Sequence, residues 1–143
     1  MLRLAAFAVT SALAAVAAGP LPPLPLGRLL AGPGPDRLTI EMADTGNRRL
    51  DREFHIECDP VGGDHPWREQ ACARLDQLAE EGKDPFAPVA KRQVCSLQYG
   101  GPATARISGT WHGHTVDATF RRTNGCEIAR WNELEPLLPT GRS

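Results

Sequence analysis

The reactive side chains of this sequence are few, and most of them exclude a chemistry. Beyond residue 18 the serines are Ser96, Ser108 and Ser143, and the four histidines are His55, His65, His112 and His114. A hydrolase triad would have to be built from a serine with Asp59 or Asp64 and His65, yet no Gly-x-Ser-x-Gly turn exists to present the nucleophile. His112 and His114 flank a turn glycine and lack a convincing third ligand, so no metal site is expected, and nothing points to a cofactor. The four cysteines, Cys58, Cys72, Cys95 and Cys126, contain no C-x-x-C pair, which removes the usual zinc-knuckle and thioredoxin spacings. An even count fits two disulfides, with three connectivities open. No enzyme activity is expected.

What the residues offer instead is the run Val94-Cys95-Ser96-Leu97-Gln98-Tyr99-Gly100-Gly101-Pro102. It reads as a short extended segment with a cysteine near its start and a Gly-Gly-Pro stop. Leu97 stands two residues past the cysteine. A segment of this kind can lie in a protease active site as a substrate does, while a disulfide holds it still. The plainer role for Leu97 is that of a core residue. Trp67, Trp111 and Trp131 are of a type that binds glycans, but packing is their ordinary role. Arg48-Arg49 and Arg121-Arg122 read as exposed turn and strand charges.

The elements that must position this run follow a leader and a linker. Met1 to Ala18 has the form of a secretory signal: Arg3, an apolar stretch from Leu4 to Val16, and small residues at Ala15, Ala17 and Ala18. Its apolar stretch is shorter than the roughly 20 residues of a spanning helix, so a membrane anchor is not expected after processing. The reading is an extracellular protein, in which disulfides persist. Residues 19–36 hold six prolines and read as a disordered or polyproline-like linker. The net charge is −1, which is not the signature of a nucleic-acid-binding surface.

From Arg37 onward the pattern is that of a small α+β domain. Arg37–Met42 and Arg52–Cys58 alternate polar and apolar residues across a turn-rich Ala43–Arg49, as an antiparallel hairpin does. Pro66 near a helix start, then Trp67, Ala71, Cys72, Leu75, Leu78 and Ala79, give helical spacing up to a stop at Gly82. Ala103, Ala105, Ile107, Gly109 and Trp111 share one strand face, and Val116, Ala118 and Phe120 another, across a tight His112-Gly113 turn. Glu127–Trp131 reads as a last strand, and residues 132–143 as a loose tail. The expected fold is an antiparallel sheet of about five strands, one or two short helices on one face, and two disulfides.

Four stretches in order resemble the Streptomyces subtilisin inhibitor family. The first is Cys58-Asp59-Pro60-Val61-Gly62-Gly63-Asp64-His65-Pro66, followed by Ala71-Cys72 and Leu75. The second is Cys95-x-Leu97-x-Tyr99 with Pro102 after it. The remaining two are Gly109-Thr110-Trp111-x-Gly113 and Asn124-Gly125-Cys126-Glu127. The likeness spans residues 37–131. It implies the pairs Cys58–Cys72 and Cys95–Cys126, a reactive bond Leu97–Gln98, and protease contacts from Val94, Cys95, Ser96, Tyr99 and Gly100. It also implies a homodimer formed through the sheets and a secreted inhibitor of serine endopeptidases. An apolar Leu97 suits the broad pockets of subtilisin-like and chymotrypsin-like enzymes rather than the cation-selective pocket of trypsin. Two positions depart from the family: Ser96 stands where proline is common, and Arg122 where an aromatic is usual, with Phe120 as the candidate replacement. The competing reading is a secreted, disulfide-stapled binding or structural module with no protease target.

Overall fold

The computed structural model describes residue 19 and residues 34–140. The signal expected at Met1–Ala18, most of the linker and residues 141–143 lie outside the described residues. Five strands and two helices follow in order: β1 (Asp36–Ala43), β2 (Glu53–Cys58), β3 (Gly62–Gly63), α1 (Arg68–Glu80), β4 (Thr104–Trp111), β5 (His114–Phe120) and α2 (Gly125–Glu133). The strands form one antiparallel sheet in the order β3-β2-β1-β4-β5.

Period-two alternation sets the register. Ile40 lies opposite both Phe54 and Ile107, Leu38 opposite Ile56, and Ala105 opposite Phe120. All of these are buried, so one face of the sheet is apolar throughout. Arg37, Glu41, Arg106 and Asp117 occupy the other face and remain exposed. The β4–β5 turn needs left-handed backbone at both central residues, and His112 (φ 47°) with Gly113 (φ 78°) supplies it.

Both helices cover the apolar face. On α1, Ala71, Cys72, Leu75 and Leu78 are buried at helical spacing, and the Cys58–Cys72 disulfide ties the helix to the end of β2. His65 leads into α1 and is fully buried. Its Nδ1 accepts from the Trp67 amide (3.2 Å), so its Nε2–H donates to the Leu137 carbonyl (3.0 Å). Burial pushes the His65 pKa below its ordinary value, the Leu137 carbonyl opposing the shift.

Two expectations are corrected at the carboxyl end. Glu127–Trp131 is not a strand but the body of α2. Asn124 caps this helix, its side chain accepting from the Glu127 amide at 3.0 Å. The fifth strand is instead the two-residue β3, paired with Ile56 and Glu57. Nor are residues 132–140 loose. Leu134, Leu137 and Leu138 are fully buried in the same core as Ile40, Leu75 and Phe120. Ile128, Trp131, Leu134 and Leu138 keep helical phase from α2 onward, and the core takes in the last three.

The stretch between α1 and β4 has no regular structure, and Arg130 of α2 holds its first part. Its guanidinium donates to the carbonyls of Ala87 (2.7 Å), Phe86 (3.3 Å) and Thr119 (2.7 Å), and lies 3.9 Å from the centre of the Phe120 ring. Phe120 is thus a core residue capped by Arg130.

Candidate functional site

From Val94 to Gly101 the chain runs without helix or strand, and its apolar side chains point away from the core. Leu97 is 99% exposed, Val94 96% and Tyr99 65%. A core role for Leu97 is therefore excluded. No backbone hydrogen bond joins Leu97, Gln98 or Tyr99 to the described residues. Large side chains presented this way on an otherwise bare backbone suit a partner that supplies both pockets and backbone pairing.

The ends of this bare stretch are fixed by one segment, residues 122–126. Upstream, Cys95 is bridged to Cys126 in the first turn of α2, with Cα atoms 5.3 Å apart. The Gly125 amide donates to the Ser96 carbonyl at 3.1 Å. Downstream, the Gly100 amide donates to the Arg122 carbonyl at 2.7 Å, and Arg122 Nε returns a bond to the Gly100 carbonyl at 3.2 Å. Arg122 is itself held, donating to Asn132 Oδ1 (2.9 Å) with its guanidinium 5.7 Å from the Trp131 ring centre. Leu97, Gln98 and Tyr99 lie between these two clamps.

The clamps are closest at two glycines, where any side chain would displace a neighbour. A Cβ on Gly125 would collide with Ser96 Oγ, and one on Gly100 would lie 2.9 Å from the Ile128 side chain and 3.0 Å from Arg122 Cβ. Gly101 then turns the chain into β4 with φ 101°, a conformation glycine adopts without strain.

The sequence placed Val94, Cys95, Ser96, Leu97, Gln98, Tyr99 and Gly100 on this loop, and the structure brings all seven together there. Both disulfides are the pairs that the resemblance implied. The supporting side was missed: Arg122, Gly125 and Asn132 were assigned no part in it. The available signal was Asn124-x-x-Glu127, a helix-start pattern that places Gly125 and Cys126 in a first turn.

The other chemical candidates do not assemble. His65 has both ring nitrogens engaged away from any serine, and Asp64 accepts from the His55 amide at 2.6 Å. That bond is the main reason its carboxyl sits below the usual range. His112 stacks on Trp111, with ring centres 4.3 Å apart, beside Asp36. Among the described residues no group of three or more His, Cys, Asp or Glu is placed to hold a metal ion.

Residues 35–124 match the family described as Subtilisin inhibitor-like. Subtilisin inhibitor-like protein 1 of Streptomyces cacaoi is 37% identical over 83 residues, which is 55% of this chain and 72% of that protein. Among solved structures, Streptomyces caespitosus sermetstatin in complex with Bacillus licheniformis subtilisin aligns over 77% of this chain and all of that one. The TM-score is 0.44 and the identity 21%.

Proposed function

The chain belongs to the subtilisin inhibitor-like family, a family of protease inhibitors rather than enzymes, and from that premise we propose how it acts. It is a reversible inhibitor of serine endopeptidases of the subtilisin type, and by extension of chymotrypsin-like ones. The Val94–Pro102 loop enters the active site as a substrate would. Leu97 fills the primary specificity pocket, with the Leu97–Gln98 bond at the catalytic serine. Val94 and Ser96 occupy sites before the bond, and Tyr99 and Gly100 sites after it.

The observation that carries this reading is an almost fully exposed Leu97 on a bare backbone clamped at both ends. Burying such a side chain contributes about 1.5–3 kcal/mol. A loop already clamped at both ends loses little conformational freedom on binding, so more of that gain survives as affinity. The same clamps explain inhibition rather than digestion. If the serine attacks the Leu97 carbonyl and the Gln98 amine leaves, the acyl end stays tied through Cys95–Cys126 and Ser96–Gly125. The amine end stays tied through Gly100–Arg122. The new ends remain adjacent, and resealing competes with hydrolysis.

Three further parts complete the proposal, the first two read from the amino-terminal sequence and the third from the resemblance. The protein is exported by a signal at Met1–Ala18 and acts outside the cell, where its two disulfides persist. Residues 19–36 serve as a linker. Two copies pair through the exposed faces of their sheets, which sedimentation would register as a species of twice the mass of the processed chain.

Titration of subtilisin and trypsin with the oxidised protein tests the central claim. Near-stoichiometric loss of subtilisin activity with trypsin spared is expected, and Leu97→Lys should reverse that preference. No inhibition of either subtilisin or chymotrypsin by folded, oxidised protein would reject it.

A further inference from the structure

The end of the molecule that bears the loop is also its cationic end. Antiparallel pairing sets the end of β1, the start of β4 and the end of β5 side by side, through Ala43–Thr104 and Ala105–Phe120. The loop enters β4 here, and Arg121 and Arg122 leave β5 here. Lys91 and Arg92 stand exposed just ahead of Val94. No Asp or Glu occurs between Asp84 and Asp117, a span that contains the whole loop.

The charge at this end is uncompensated. Among the described residues, none of Lys91, Arg92, Arg121 and Arg122 has a carboxylate within ion-pair distance, whereas Arg37, Arg52 and Arg106 pair with Glu57, Asp64 and Asp117. The acids at this end are fewer than its cations. Glu127 pairs with Arg130, Glu41 shares Arg106 with Asp117, Glu53 faces His55, and in the β1–β2 turn Asp44 and Asp51 balance Arg48 and Arg49. The far end of the strands is acidic instead. Asp36, Asp59 and Asp76 line one concavity there beside His112. Since the whole chain carries only −1, this is charge separation along the strand axis rather than an excess of one sign.

We propose that this polarity selects the partner: among serine endopeptidases that accept Leu97, the protein favours those with an acidic rim around the active site, through long-range attraction during approach. The inference rests on the loop being the protease-binding element. A dipole with its positive pole at the binding loop turns that loop toward a negative cleft before contact, which raises the association rate and leaves dissociation nearly unchanged. Over distances beyond the Debye length, about 8 Å at physiological salt, the effect is screened.

The test uses subtilisin in two forms that differ only in the acidic side chains ringing the cleft, present in one and replaced by their amides in the other. The inhibitor is compared with its Lys91→Glu/Arg92→Glu/Arg121→Glu variant, which spares Arg122 because that side chain braces the loop. The parent should associate with the acidic form about tenfold faster at low salt, and the variant should lose that advantage. High salt should close the gap. Equal association rates for parent and variant at low salt, with titration still stoichiometric, overturn the inference and leave the inhibitor reading standing. A change confined to the dissociation rate also overturns it, since the cations would then act only in contact. Failure of both proteins to inhibit either form removes the inhibitor reading, and this inference with it.

Discussion

Arg122 is the departure from the family pattern that the structure makes sense of, and removing its brace gives the sharpest test of the clamp. The perturbation is Arg122→Lys, which keeps the charge and the backbone carbonyl that receives the Gly100 amide. A lysine cannot bond Gly100 and Asn132 at once while lying over Trp131. A hydrogen bond from a charged donor is worth roughly 1.5–3 kcal/mol, and partial exposure here argues for the low end or below. Some freedom returns to Gln98–Gly100, which must be lost again on binding. Together these put the cost at about 1–2 kcal/mol, or about 5–30-fold in the inhibition constant. Progress curves with subtilisin give the constant, and mass spectrometry gives the rate of cutting at Leu97–Gln98. Weaker inhibition should come with faster cutting, because an unbraced amine end drifts from the acyl end. Arg122→Ala should exceed Arg122→Lys in both readouts. If neither variant changes the constant or the cutting rate, the downstream clamp plays no part in inhibition.

Other expectations concern the upstream clamp and the core. Cys95→Ser with Cys126→Ser opens a bridge of 31-residue separation, worth nearly 4 kcal/mol by loop-closure arithmetic, and should turn the inhibitor into a substrate that digestion assays see consumed. Gly125→Ala forces a methyl group into Ser96 and should weaken inhibition while circular dichroism stays near that of the parent. Leu137→Ala empties a fully buried site and should cost about 2–5 kcal/mol in urea unfolding, whereas a loose tail would give almost nothing. His65 should make stability fall in mild acid. Its folded pKa lies below the ordinary 6.5, so the unfolded chain binds the proton first. The stability it contributes is complete above about pH 6.5 and declines below, with a slope of at most about 1.4 kcal/mol per pH unit. His65→Gln should flatten that slope between about pH 7 and pH 5.

How far the sequence could be read depended on whether the governing interaction was local. Strand alternation is local, so β1, β2, β4 and β5 were legible to within a residue or so, and α1 was legible from its apolar spacing. The α2 segment was misread because Ile128 and Trp131 over so short a stretch suit either period, and the arbitrating signal lay upstream in Asn124. The tail was misread because Glu135 and Pro136 interrupt its leucines, and only the cavity left by the sheet and α1 shows that those leucines are needed.

The loop inverts that relation. Its residues could be named from order and likeness, yet nothing local says that Leu97 is exposed, since an isolated leucine is more often buried. Exposure is decided by what lies beneath, and here the space beneath is already filled. Ser96 closes on Gly125, and Gly100 on Ile128 and Arg122. With the space at both glycines already taken, the backbone rests directly on Arg122, Gly125 and Ile128. Leu97, between the two contacts, has only the outward direction left. The exposure that makes this loop a ligand is therefore a packing result, set by Gly100 together with Gly125 and Arg122, two residues that no reading of the loop alone would single out.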